Sequence, residues 1–162
     1  METLIGYIRY PSDAILVLEA CRLGRLQCVK RRLSDSERAA YVKSGTIFVW
    51  DEDDSGIKRW TDSRHWSPSR INGVFLIYRE VEPTRAKAIG SNGSVTTVPD
   101  STEFVVKENG LTKKALSIQT RDGRKQHLVC YYTRDDVRAS RYPPPTEHPA
   151  CQGIEPNSML YP

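Results

Sequence analysis

The sequence predicts a single α+β domain. Three observations carry that expectation. The first is size: 162 residues, 38% of them hydrophobic, can bury one core without metal or disulfide staples. The second is that strand-like and helix-like segments alternate along the first half of the chain. The third is a hairpin signal near the C-terminal end, where Asp122-Gly123 separates two apolar-alternating runs. An isolated hairpin is marginal in water, so its strands are expected to pair with strands of the first half.

Each element follows in chain order. Residues 3–10, TLIGYIRY, alternate as a first strand that Pro11 ends. Ser12 is the expected N-cap of a helix with Asp13 in its first turn, Ile15, Leu16 and Leu18 on its apolar face, and Gly24 as its C-cap. Residues 25–33, RLQCVKRRL, read as a strand with a cationic face. Ser34 and Glu37 form a capping box that opens a short helix closing at Gly45. TIFVWDE is a short buried strand, DDSG a turn, and GVFLIYREV the run richest in β-branched and aromatic residues. Residues 83–108 read as a flexible linker of Gly, Ser, Thr and Pro. After the hairpin, Thr133 caps a helical turn. Residues 141–162 form a Pro-rich tail, extended unless it packs on the body.

Composition excludes several functions. The net charge of +4 is mild and matters only where the charges cluster. The spacings of the four cysteines match no common zinc pattern and include no C-x-x-C. Residues 1–9 hold no apolar signal region, so free thiols in a reducing, intracellular setting are expected. No phosphate-cradling glycine loop, nucleophile elbow or zinc-hydrolase motif is present. The expected function is therefore not enzymatic, with neither cofactor nor metal.

Charge clusters in residues 56–73, GIKRWTDSRHWSPSRING. Lys58, Arg59, Arg64 and Arg70 stand there with only Asp62 opposing. A phosphate polymer supplies the anions such cations lack. Ser63, Ser67 and Ser69 add hydroxyl donors for phosphate oxygens. Arginine suits a narrow AT-rich minor groove, where its planar guanidinium reaches base-edge acceptors. Gly56 and Gly73 bracket the loop and Pro68 stiffens it, which lowers the ordering cost of binding. Trp60 and Trp66 either touch sugar or wedge at a base step, or anchor the loop to the core. Anchoring is favoured, because a buried indole holds a loop by several kcal/mol. Asp62 is expected to orient Arg59 or Arg64, or to cap the loop backbone. A second basic cluster holds Arg25, Lys30, Arg31 and Arg32; Lys113, Lys114, Arg121, Arg124 and Lys125 are further candidates for flanking phosphates.

KRWTD with WSPSRI and FLIYRE, together with YPSDAILVLEACRLGRL, VKRRLSDSER, GLTKKALSI and QHLVCYY, resemble the WOPR-domain (Gti/Pac-type) family of fungal transcription regulators. The resemblance covers residues 3–82 and 109–138. It implies one α+β domain, 3–140, whose two blocks interleave strands in a largely antiparallel sheet flanked by short helices. It also implies a nuclear protein that binds double-stranded DNA at an AT-rich site as a monomer. In that mode the loop around the tryptophans, with Thr61 and His65 among its residues, enters the minor groove. Arg31, Arg32, Lys113 and Lys114 then contact phosphates and an adjacent major groove. Ser63-Arg64-His65 stand where the family often has a glycine and other small residues. Lys58-Arg59-Trp60-Thr61 has the form basophilic kinases read, which makes Thr61 a phosphorylation candidate that would place negative charge beside Arg59. The alternative is a protein-interaction module, or an RNA or single-strand binder stacking bases on its tryptophans.

Overall fold

A strand in which every residue is buried must be covered on both faces and paired on both edges. Thr46–Asp51 (β2) is such a strand. In the computed structural model, which describes residues 1–82, 105–158, 160 and 161, β2 lies between Leu4–Ile5 (β1) and Lys125–Tyr132 (β6). The remaining strands are Arg70–Asn72 (β3), Phe75–Arg79 (β4) and Thr112–Gln119 (β5). All six form one antiparallel sheet in the order β1-β2-β6-β5-β4-β3. The β5–β6 hairpin is thus inserted between β2 and β4. The lone hairpin finds its partners in the first block, and the interleaved antiparallel sheet is present as expected. The linker expected over 83–108 lies, as far as residue 104, outside the described residues.

The period-two alternation of the strands builds two cores. On one face Ile47, Val49, Leu116, Leu128, Cys130 and Phe75 meet Ala14, Val17 and Leu18 of the helix Pro11–Arg22 (α1). On the other, Phe48, Trp50, Val129 and Tyr131 meet Val29, Leu33, Val42, Ile57 and the indoles of Trp60 and Trp66. Among the described residues, no long helix covers this second face. The helix Asp35–Tyr41 (α2) and the loop after the one-turn helix Glu52–Ser55 (α3) cover it instead.

Several local expectations change. The first strand is only two residues long, because the chain turns from β2 to the tail: Gly6 N donates to Gly45 O and Tyr7 N to Pro143 O. Ser12 is not the N-cap of α1. Pro11 occupies the first turn, Tyr10 caps the helix, and the Asp13 carboxylate accepts from Arg9 N and Tyr10 N at 3.0 and 2.9 Å. Residues 25–33 form no strand; their tie to the sheet is Val29 N to Val49 O at 2.8 Å, with Val29 and Leu33 buried. The loop ends in the unexpected strand β3, which a two-residue Gly73-Val74 turn joins to β4. Gly73 has φ +65° there, as a type II′ turn needs. The Ser34–Glu37 capping box and the Thr133 cap of the helix Arg134–Arg138 (α4) are formed.

The tail packs. Pro145 and Cys151 are buried in two short 3-10 turns, Pro145–Glu147 and Pro149–Cys151. Tyr142 lies against Gly45, whose φ is +95° and where an added Cβ would sit 2.4 Å from the ring.

Candidate nucleic-acid interface

The loop from Ile57 to Ser69 is held from beneath by aromatic and acidic groups. Ile57 is buried, and its carbonyl accepts from Trp50 Nε1 at 3.1 Å. Trp60 stacks on Trp50, with centroids 4.5 Å apart and planes 16° from parallel, and donates Nε1 to Tyr131 Oη at 2.7 Å. Tyr131 Oη in turn donates to Asp62 Oδ2 at 2.7 Å. Trp66 Nε1 donates to Asp62 Oδ1 at 2.9 Å. Both indoles are therefore rooted in the body.

Asp62 is the hub of this arrangement. It is 6% exposed. It accepts from Trp66, Tyr131, the backbone N of Arg64 at 3.2 Å and Lys113 Nζ at 3.3 Å. Burial pushes its carboxyl up, but the donors Trp66 and Tyr131 and the Lys113 charge outweigh this, and the group stays below the usual carboxylate range. The same burial drives the Tyr131 phenol well above its ordinary value. Asp62 thus caps the loop backbone, one of the roles expected of it. Lys113 is drawn in because β5 pairs it with Tyr131. Its ammonium lies 4.7 Å from the ring centroids of both Trp66 and Tyr78.

The expected cations divide into two groups. Arg64 does not face outward. Its Nη1 pairs with Glu80 Oε2 at 2.9 Å and its Nη2 donates to Val42 O at 2.9 Å. Glu80 is 7% exposed. Burial raises its carboxyl, but the Leu111 N–H, Arg64 and Lys107 bring it below the ordinary value. Lys114 is also interior, which corrects its assignment as a phosphate contact. Successive strand residues point to opposite faces, so Lys114 enters the α1 side. There it donates to Ile8 O at 2.9 Å among Tyr7, Phe75 and Tyr132. Burial lowers its ammonium pKa.

Lys58, Arg59 and Arg70 are exposed and, among the described residues, their side chains make no ion pair or hydrogen bond. Thr61, Ser63, His65 and Ser69 are exposed beside them. Ser67 instead joins the sheet: its N–H donates to Arg79 O and its Oγ accepts from Arg79 N. Arg31 and Arg32 are exposed. Arg31 forms a bidentate pair with Glu37 at 2.7 and 2.9 Å, and Arg32 donates to Arg59 O at 3.4 Å. The second basic cluster therefore abuts the start of the loop. Arg124, at the hairpin tip, pairs with Asp51 and Asp54 at 2.9 and 3.5 Å, so the acidic run holds a basic neighbour.

Two features escaped the sequence. Arg38 of α2 donates to Ser63 Oγ at 3.3 Å and so borders the loop tip. Its position one residue after the capping-box glutamate was the available signal. Ser63 has φ +64°, a left-handed conformation that favours glycine.

A model of the Gti1/Pac2 family matches residues 3–103. The chain belongs to that family. It is 38% identical to the global transcription regulator sge1 of Gibberella fujikuroi, over 98% of this chain and 60% of that protein. It is also 38% identical to the cAMP-independent regulatory protein pac2 of Schizosaccharomyces pombe, over 81% of this chain and 70% of that one. The chain spans about 60% of the length of the sge1 proteins of Gibberella fujikuroi and Fusarium oxysporum. Among solved structures it is similar to the WOPR domain of Wor1 from Candida albicans, in complex with a 13-bp double-stranded DNA. That match has a TM-score of 0.78 and 29% identity, covering 98% of this chain and 93% of the other.

Proposed function

We propose that this chain is the DNA-binding domain of a fungal transcription regulator acting in the nucleus. It binds one double-stranded site as a monomer, with the loop in an AT-rich minor groove. The observation that carries this reading is the match along nearly the whole chain to a domain solved on duplex DNA. The loop's architecture supports it. Trp60, Asp62, Arg64, Trp66 and Lys113 hold the loop in shape from inside, so the outer groups are presented without a large ordering cost. Lys58, Arg59 and Arg70 supply unpaired positive charge, and Ser63, His65 and Ser69 supply donors. Arg31 and Arg32 extend the basic surface for phosphate contacts.

Selection from a random duplex library, followed by mobility shifts with duplex, single-strand and RNA competitors, tests this. Preference for one duplex at moderate salt is expected, and equal binding to all three competitors overturns the reading. Replacing A·T by I·C pairs preserves the minor-groove pattern and changes the major-groove one. Binding is expected to survive that exchange, and its loss would move the base contacts to the major groove.

A further inference from the structure

We propose that Arg79, Arg134 and Arg138 form a phosphate-binding cleft that grips the backbone of the same duplex beside the loop. The proposal rests on the duplex-binding reading above and adds a second place where the DNA is held.

The sheet register builds the cleft. β4 pairs Arg79 with Thr112, and β5 pairs Thr112 with Tyr132. The three residues form one row across three strands, so the Arg79 and Tyr132 backbones stand two strand spacings, roughly 10 Å, apart. The chain leaves β6 at Tyr132, Thr133 caps α4, and α4 begins with Arg134. Arg134 and Arg138 are four positions apart, which puts them on one face of that short helix. With Arg79 they line a cavity of about 310 Å³ at this end of the sheet. A water takes up roughly 30 Å³ in the liquid, so a phosphate group fits with water around it.

The three arginines are exposed and, among the described residues, their side chains make no ion pair or hydrogen bond. Two nearby carboxylates are engaged elsewhere. Asp136, on the same helix, pairs with Arg141 at 2.9 Å and accepts from Tyr142 Oη at 3.4 Å. Glu80, in the cavity wall, is held by Arg64 and by the Leu111 N–H. Lys107 adds a fourth cation, 3.6 Å from Glu80. Asp135 and Glu108, both exposed, also line the cavity and leave the cations in excess. Like charges gathered at one cavity repel, and a shared anion relieves that cost. The planar fork of arginine suits phosphate oxygens.

The cleft adjoins the loop. Glu80 and Lys107 are also the wall of a cavity of about 430 Å³ that Ser63 and His65 line with Arg38. The Arg79 backbone is tied to the loop through Ser67, whose N–H donates to Arg79 O and whose Oγ accepts from Arg79 N. A duplex carries one charge per ~1.7 Å of axis, so DNA seated on the loop has phosphates within reach of this cleft.

The test uses the chain of 162 residues and the double substitution Arg134→Ala with Arg138→Ala. Both side chains are exposed and alanine favours helix, so the thermal melt is expected to match the parent. Fluorescence anisotropy on the selected duplex at several salt concentrations is expected to give a salt slope lower by about two units. Arg79→Ala, on a strand rather than the helix, is expected to lower it by about one. The affinity loss is expected to be the same factor on a scrambled duplex, because phosphate contacts carry no sequence. Replacing single phosphates by neutral methylphosphonates locates the contact: at one or two positions the replacement is expected to weaken the parent and leave the double variant unchanged. An unchanged salt slope, or methylphosphonates that weaken both proteins alike at every position, overturns the proposal. With an unchanged slope, binding of a phosphothreonine peptide by the parent alone would give the cleft to a phosphoprotein instead. The loop reading fails separately, when the parent shows no preference among duplexes, and the slope comparison decides the cleft in either case.

Discussion

Replacing Asp62 by alanine tests the hub directly. The carboxylate accepts from the Trp66 indole, the Tyr131 hydroxyl, the Lys113 ammonium and the Arg64 backbone. Removing it leaves a half-buried indole N–H, a buried phenol and a mostly covered ammonium without an acceptor. Each unsatisfied buried donor costs about 1–3 kcal/mol, and removing one partner of a buried ion pair costs about 3–5 kcal/mol. Lys113 retains the two ring faces and some solvent access, so the total is about 3–5 kcal/mol. For a chain of this size each kcal/mol moves Tm by roughly 2–4 °C, giving a fall of roughly 6–20 °C. Urea unfolding followed by tryptophan fluorescence measures it. Asp62→Asn isolates the charge. The native carboxyl lies below its unfolded value, so its contribution is present above the unfolded pKa of about 3.9. That contribution is lost as pH falls through the lower native pKa. The Asn variant is expected to have a flatter stability profile below pH of about 4 than the parent. An Ala variant within about 1 kcal/mol of the parent, with the acid branch unchanged in Asn, would refute the hub.

Other outcomes follow from the same geometry. Arg64→Ala is expected to cost about 1–3 kcal/mol of stability by leaving buried Glu80 underpaired. Arg70→Ala is expected to leave stability within about 0.5 kcal/mol and to reduce duplex affinity by about 1–3 kcal/mol if it reads a base. Urea melts and mobility shifts on the two variants separate those roles, and equal effects on both measurements would contradict the division. Lys58→Ala and Arg59→Ala should each lower the salt slope of duplex binding by about one unit, as read from titrations at several salt concentrations. Thr61→Glu places negative charge beside Arg59 and is expected to weaken duplex binding; unchanged affinity in a mobility shift removes the phosphorylation proposal. Gly45→Ala meets both a φ of +95° and the Tyr142 ring at 2.4 Å, and is expected to cost about 2 kcal/mol or more in a thermal melt.

The sequence by itself determined what short-range contacts control. The Ser34–Glu37 box and the Thr133 cap depend on residues three positions apart, and the hairpin tip that holds Asp122-Gly123 on the five residues from Thr120 to Arg124, so all three formed from local contacts. The loop motif and the flanking blocks likewise carried the family. Tertiary structure decided which way the cations point. Arg64 faces inward because Glu80, 16 residues away, waits there, and Lys114 because of a carbonyl 106 residues away at Ile8. It also decided the edges. Residues 25–33 alternate like a strand but, among the described residues, make one backbone hydrogen bond to the sheet, Val29 N to Val49 O, while Arg70–Asn72, with no strand period in its surroundings, becomes a strand because β4 lies beside it. A strand's ladder and a cation's partner are supplied by distant parts of the chain, so local residue pattern fixes neither.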